Sequence, residues 1–328
     1  MTIGSSPPVL HVPARDIPVP SFLSPQAQAV LAAGAANVGA TTRYPPPGDL
    51  VAWRALIDAS NTAMAAQLAG ISNVDADVDE IDVDGVAVFE IVPKGTSEDD
   101  PRVFFDIHGG ALIFGAGAAC RAMGIVTANR VRSRTWAVDY RTPPEHPYPA
   151  PLDDCLTAYR ALIERHGPEH VIVGGASAGG NLAAALILRA RDEGTALPAA
   201  AVLLTPQVDL TESGDSFHTN LGVDTVLTES LMPTNLLYAG GHNLADPYLS
   251  PLFGDFTKGF APTLLATGTR YLFLSNTVRM HRALRAADLP SELHVLEAAP
   301  HGAFFGTAPE DAVVDQEVRR FVDAHWSR

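Results

Sequence analysis

Two spacings of apolar residues take turns along most of this chain. Val78, Ile81 and Val83, then Val86, Val88 and Ile91, recur on either side of Asp84-Gly85. That dipeptide favours the positive φ of a tight turn, so the stretch predicts a hairpin. Short apolar, β-branched runs then predict strands over Arg102–Ile107, Thr135–Tyr140, Val171–Gly174, Ala199–Thr205, Thr263–Thr267 and Glu292–Leu296. Between and after them, longer runs predict helices over Ala118–Val131, Ala150–His166, Gly180–Arg191, Thr277–Ala287 and Pro309–His325. Near-continuous apolar strands separated by helices imply a mostly parallel sheet covered on both faces, an α/β fold.

Two stretches break this alternation. Residues 1–25 carry Pro7, Pro8, Pro13, Pro18, Pro20 and Pro25, and are expected to form an extended arm. Helical runs follow at Gln26–Ala33 and Gly48–Leu68, the second after Pro45-Pro46-Pro47. The stretch 210–259 is long, mixed and loop-rich. The expected organisation is an N-terminal arm with lid helices (1–75), an α/β core (76–209 and 260–328) and a lid insertion (210–259). No internal repeat or low-complexity tract interrupts it.

Composition narrows the class. The chain has 328 residues, 47% hydrophobic and 18% charged, enough for one large α/β unit with a sizeable core. A net charge of −15 with no basic run argues against nucleic acid or an anionic membrane surface as partner. Cys120 and Cys155 have no metal-ligand or Cys-x-x-Cys spacing, which fits a reduced, cytoplasmic setting. Met1–Pro8 lacks a basic region followed by an apolar core, so no signal peptide is expected. No apolar run approaches the ~20 residues of a membrane span. Oligomeric state is not legible, and a homo-oligomer stays open.

The richest segment is Val171-Ile172-Val173-Gly174-Gly175-Ala176-Ser177-Ala178-Gly179-Gly180. An apolar run breaks into Gly-x-Ser-x-Gly and leads into a helix, the context of a nucleophile elbow. Glycines two before and two after the serine leave room for neighbouring backbone, and the amides of Ser177 and Ala178 open a helix that favours negative charge. The segment lacks the Gly-Lys-Ser/Thr ending of a P-loop and the glycine spacing of a dinucleotide fingerprint. With no His-Glu-x-x-His run either, no metal site is expected.

Two further groups complete a chemistry. His108-Gly109-Gly110-Ala111 ends a strand, and successive glycines let amides converge on one point. Gly109, Gly110 and Ala178 are candidate oxyanion donors, which must sit about 2.7–3.1 Å from the developing charge. His108 is read as a loop-shaping hydrogen bonder. Among eleven histidines, His301 alone follows the last strand and precedes the last helix, at the sheet end where Ser177 sits. It is the candidate base.

These motifs resemble those of the α/β-hydrolase fold, and within it the hormone-sensitive-lipase-like bacterial carboxylesterases. Asp139-Tyr140-Arg141-Thr142-Pro143-Pro144-Glu145-His146-Pro147-Tyr148-Pro149-Ala150 adds to the resemblance, which covers most of residues 75–325. It implies hydrolysis of short- or medium-chain acyl esters, small-molecule substrates, through an acyl-enzyme without a cofactor.

One position departs from the family. The resemblance places the catalytic aspartate at 271, where this chain has Tyr271, and a second frequent acidic position, 276, holds Asn276. Three readings stay open. Another carboxylate serves, Asp209 first and Glu297 second. Or Tyr271 orients His301 through its hydroxyl. Or hydrolysis is lost, leaving a small-molecule-binding member of the fold. Acyl transfer to an acceptor other than water shares the first half-reaction and is a further alternative.

Overall fold

The structure, a computed structural model, describes residues 9–39, 44–69 and 75–326. Pro7 and Pro8 of the proline-rich arm, the Met1–Pro8 stretch read for a leader, and parts of the expected lid (40–43 and 70–74) lie outside those residues. Helices α1 (Pro25–Gly34) and α2 (Leu50–Leu68) precede the hairpin β1 (Ala76–Val83) and β2 (Val86–Pro93). Then come β3 (Val103–Ile107), α3 (Ala118–Val131), β4 (Arg134–Asp139), α4 (Ala150–His166), β5 (Val171–Ala176), α5 (Ala178–Asp192) and β6 (Ala200–Leu204). The short α6 (Ser216–Thr219) and α7 (Met232–Ala239) lie in the expected insertion. The chain ends with β7 (Thr263–Gly268), α8 (Leu274–Ala286), β8 (Ser291–Leu296) and α9 (Pro309–His325).

One eight-stranded sheet has the order β1-β2-β4-β3-β5-β6-β7-β8. The first two pairings are antiparallel and the rest parallel. This is the architecture of an α/β hydrolase. Asp77, Asp79, Glu80 and Asp82 line the outermost strand, charges that discourage pairing with another sheet.

The period of two along each central strand divides the core. Val103, Phe105, Val171, Val173, Ala201 and Leu203 join the cluster built with α4, α5 and α8. Their alternates Phe104, Ile172 and Val202 join Val318, Phe321 and Val322 of α9 on the other face. Apolar runs without polar alternation are therefore what strands covered on both faces require. Helix α5 is buried over nearly its whole length, and Ala183-Ala184-Ala185 lets it approach the sheet closely.

Asp106 is the exception inside β3. It is 5% exposed, and its carboxylate accepts a hydrogen bond of 3.0 Å from Thr127 of α3. Burial pushes its carboxyl up to about 6. Between about pH 4 and 6 the folded chain keeps a proton that the unfolded chain has released, so this residue makes stability fall as pH rises through that window. Asp106→Asn keeps an oxygen for Thr127 and removes the charge. It should stabilise the protein by about 1–2 kcal/mol at pH 7. The gain should fade toward pH 4 in denaturant titrations run at both values.

Candidate active site

The strand order turns at β3: β4 lies to one side of it and β5 to the other. Crevices at the carboxyl ends of strands flanking such a switch bind ligands. Ile107 pairs with Gly175, so the loop leaving β3 and the serine leaving β5 emerge side by side.

Ser177 has φ 57° and ψ −118° and caps α5. A non-glycine residue with that backbone is strained and persists only where its surroundings enforce it. Here they do. A Cβ on Gly179 would lie 1.9 Å from the Ile107 carbonyl oxygen, and one on Gly175 would lie 2.5 Å from the Gly179 backbone. The Ser177 N–H donates to the Leu204 carbonyl at 2.9 Å. This corrects one expectation, because that amide is spent on the sheet, which leaves Ala178 of the two to open the helix with a free donor.

The β3 loop is held from behind. The Tyr140 hydroxyl donates to the His108 carbonyl at 2.9 Å, and the two rings stack 3.9 Å apart. His108 Nδ1 lies 2.8 Å from the Gly109 carbonyl, which can only accept, so Nδ1 carries the proton. Burial lowers this imidazole to about 4, so it is neutral. Gly110 has φ +129°, and a Cβ there would meet the Phe114 carbonyl oxygen at 1.9 Å. The N–H groups of Gly109, Gly110 and Ala178 find no acceptor among the described residues. Buried amides are rarely left so, which fits donors awaiting a ligand.

His301 lies in the turn after β8. Its ring stacks on Tyr271, centroids 4.8 Å apart and planes 22° from parallel. Its buried Nδ1 has no hydrogen-bond partner. The Tyr271 hydroxyl does not reach it. That hydroxyl donates to the Thr205 carbonyl at 2.5 Å, so Tyr271 supports the imidazole with its ring face rather than its O–H.

Asp209 is also occupied elsewhere. Its buried carboxylate takes the N–H and hydroxyl of Thr211, the hydroxyl of Ser213 and the Arg279 guanidinium at 2.8 Å. Glu297 is exposed and meets Thr269 at 3.5 Å. Asn276 is buried at the start of α8, both amide atoms without a partner. The carboxylate beside His301 is Asp224, which the sequence reading passed over. Its Oδ1 accepts the His301 N–H at 3.3 Å, and its charge opposes the fall that burial imposes on the imidazole's proton affinity.

Ser177, His301, Gly109 and Gly110 border one cavity of about 580 Å³. Ser60 and Met64 of α2 and Val226 and Leu227 of the stretch 210–259 also line it. The one potential metal-binding cluster among the described residues is His108, Cys120 and Asp139, with ligand atoms within 4.8 Å of one another. Most of these atoms serve the fold: Cys120 donates to Val138 and Asp139 accepts from Gly117.

Tyr271→Phe tests the bond between Tyr271 and Thr205. Losing a buried donor should cost about 1–2 kcal/mol of stability, read as a lower melting temperature. Because the lost hydroxyl does not touch the imidazole, the pH at which activity half-falls should stay in place.

Comparison with known proteins agrees with this fold. Residues 104–305, well over half of the chain, match the family described as alpha/beta hydrolase fold. An esterase from Acinetobacter venetianus is 32% identical over 191 residues, covering 57% of this chain and 63% of that one. The matched region thus spans less than two thirds of that relative. The crystal structure of an esterase E25 aligns with a TM-score of 0.88 at 33% identity, over 97% of this chain and 99% of that one. An esterase from the bacterial hormone-sensitive lipase family aligns with a TM-score of 0.80 at 29% identity, over 93% and 99%. The chain belongs to the α/β-hydrolase fold family, in its hormone-sensitive-lipase-like branch.

Proposed function

We propose that this protein is a serine carboxylesterase acting on short- to medium-chain acyl esters. The observation that carries the reading is the meeting, around one cavity, of a serine on a strained turn, a half-buried imidazole and main-chain N–H groups without acceptors among the described residues. The esterases among its relatives support it.

In this mechanism the Ser177 hydroxyl attacks the ester carbonyl while His301 takes its proton. The tetrahedral oxyanion is held by the N–H groups of Gly109, Gly110 and Ala178, which have no acceptor among the described residues. The carbon–oxygen bond to the alcohol breaks, and His301 returns the proton to the departing alkoxide. Water, deprotonated by the same imidazole, then attacks the acyl-enzyme and releases the acid. Burial lowers the His301 pKa below its ordinary 6.5, so the ring is neutral and able to accept a proton at neutral pH.

Substrate size follows from the walls. Leu56, Met64, Leu68, Ile113, Val226 and Leu227 give a largely apolar lining suited to an acyl chain and a small alcohol. The α2 region and the insertion act as the lid over a core of 76–209 and 260–328. A second reading, a binding protein with disabled chemistry, is favoured only by Tyr271 in the slot where the family carries its acid.

Hydrolysis of p-nitrophenyl butyrate separates the two. Ser177→Ala should lower kcat by at least about 10³-fold. Stoichiometric binding by the unmodified protein without turnover would favour the binding module. The kcat/KM of the active protein should rise with pH as His301 deprotonates, with a midpoint below about 6.5.

A further inference from the structure

Asp224 is fully buried in the insertion, far in sequence from Ser177, Tyr271 and His301. Both of its oxygens are acceptors. Oδ1 takes the N–H of Val226 at 2.9 Å, of Leu227 at 3.2 Å and of His301 at 3.3 Å. Oδ2 takes the N–H of Leu272 at 2.9 Å. One side chain therefore ties three segments together: the cavity wall at 226–227, the β7–α8 loop that carries Tyr271, and the turn that carries His301.

We propose that Asp224 is the positioning carboxylate of this site, fixing His301 and supplying the negative charge that stabilises its imidazolium, in place of an acid at 271. The proposal rests on the esterase reading above. Two facts support it beyond proximity. Tyr271 fills the family's acid slot with a ring whose hydroxyl is committed to Thr205, so no carboxylate arrives from that loop. Asp224 and Tyr271 lie beside His301, and Ser177 and Glu229 line the same cavity. The Asp224 charge acts on the imidazole, raising its proton affinity against burial.

The chemistry matches the need. When Ser177 gives up its proton, a positive charge appears on a ring that burial disfavours charging. A fixed anion nearby lowers the energy of that state and requires no movement during the reaction. Because Asp224 bonds the backbone N–H of His301 rather than Nδ1, its effect is weaker than that of a carboxylate hydrogen-bonded to the ring.

A two-by-two set of variants tests this in the full-length enzyme: the native chain, Asp224→Asn, Tyr271→Asp and the double variant. Asp224→Asn should lower kcat/KM about 10- to 100-fold in the native background. It should also move the acid limb of the pH profile to lower pH, since an imidazole without its anion protonates less readily. In the Tyr271→Asp background the same change should cost only a few-fold, because a second carboxylate then carries the charge. A purely structural Asp224 would cost the same in both backgrounds and leave the acid limb in place, which overturns the proposal.

A further measurement leaves Asp224 intact, should Asp224→Asn not fold. A missing triad acid is worth about 10⁴ in turnover. If Asp224 already supplies about 10- to 100-fold of that, Tyr271→Asp alone should raise kcat by no more than about 10²- to 10³-fold, and a gain near 10⁴ overturns the inference. Ser177→Ala is run alongside. If it keeps turnover, the esterase reading itself fails. If it is dead while the Asp224 comparisons come out flat, only the role of Asp224 falls.

Discussion

The parallel pairing of β3 with β5 is the constraint on which the site depends. Ile107 lies opposite Gly175, and the Ile107 carbonyl oxygen fills the space that a Gly179 side chain would need. That contact forces the chain to turn within a single residue, and the residue at the turn is Ser177, at φ 57°. The same pairing starts the His108-Gly109-Gly110 loop beside the serine. Nucleophile and candidate oxyanion donors are thus placed by backbone hydrogen bonds of the sheet rather than by flexible side chains. Strain of this kind costs about 1–3 kcal/mol per residue and is sustained by the buried sheet around it.

The strain is not confined to Ser177. Thr205, just past β6, has φ 46°, and Ala298, just past β8, has φ 58°. All three sit at the same end of the sheet, where the chain must leave a strand and turn at once toward the crevice. Tyr271 links two of these turns: its hydroxyl holds the Thr205 carbonyl and its ring supports His301. A tyrosine at 271 therefore does structural work that an aspartate could not do, through a long ring that spans from one loop to the next. Its presence trades a hydrogen bond to the imidazole for a stacked surface.

The fold was legible because its signals are local and repeated. Each central strand is a short apolar run buried on both faces, and longer runs separate them, so α3, α4 and α9 fall where the sequence predicted them. Boundaries moved by a few residues, as at α8, which starts at Leu274, and at the tight turn where β5 runs on to Ala176 and α5 starts at Ala178, leaving Ser177 alone between them. The serine, the histidine and the paired glycines were legible for a related reason, since glycine next to a strand end is a steric requirement written into sequence. The structure brings these residues to one cavity.

The carboxylate was not legible, and the reason is physical. Asp209 and Glu297 drew attention because each stands near a strand end in sequence, but Asp209 is consumed by Thr211, Ser213 and Arg279, and Glu297 faces outward. Asp224 lies in a segment with no regular period, and nothing around it in the sequence marks it as buried. What places it is a set of four backbone N–H groups contributed by three separate loops, which exists only once the sheet has brought those loops together. A buried acceptor is located by the donors it must satisfy, and donors on folded loops leave no spacing to read. A group acting through the electrostatic field of an assembled site is thus the kind least visible in sequence. The sterically dictated elbow a short distance away is the kind most visible.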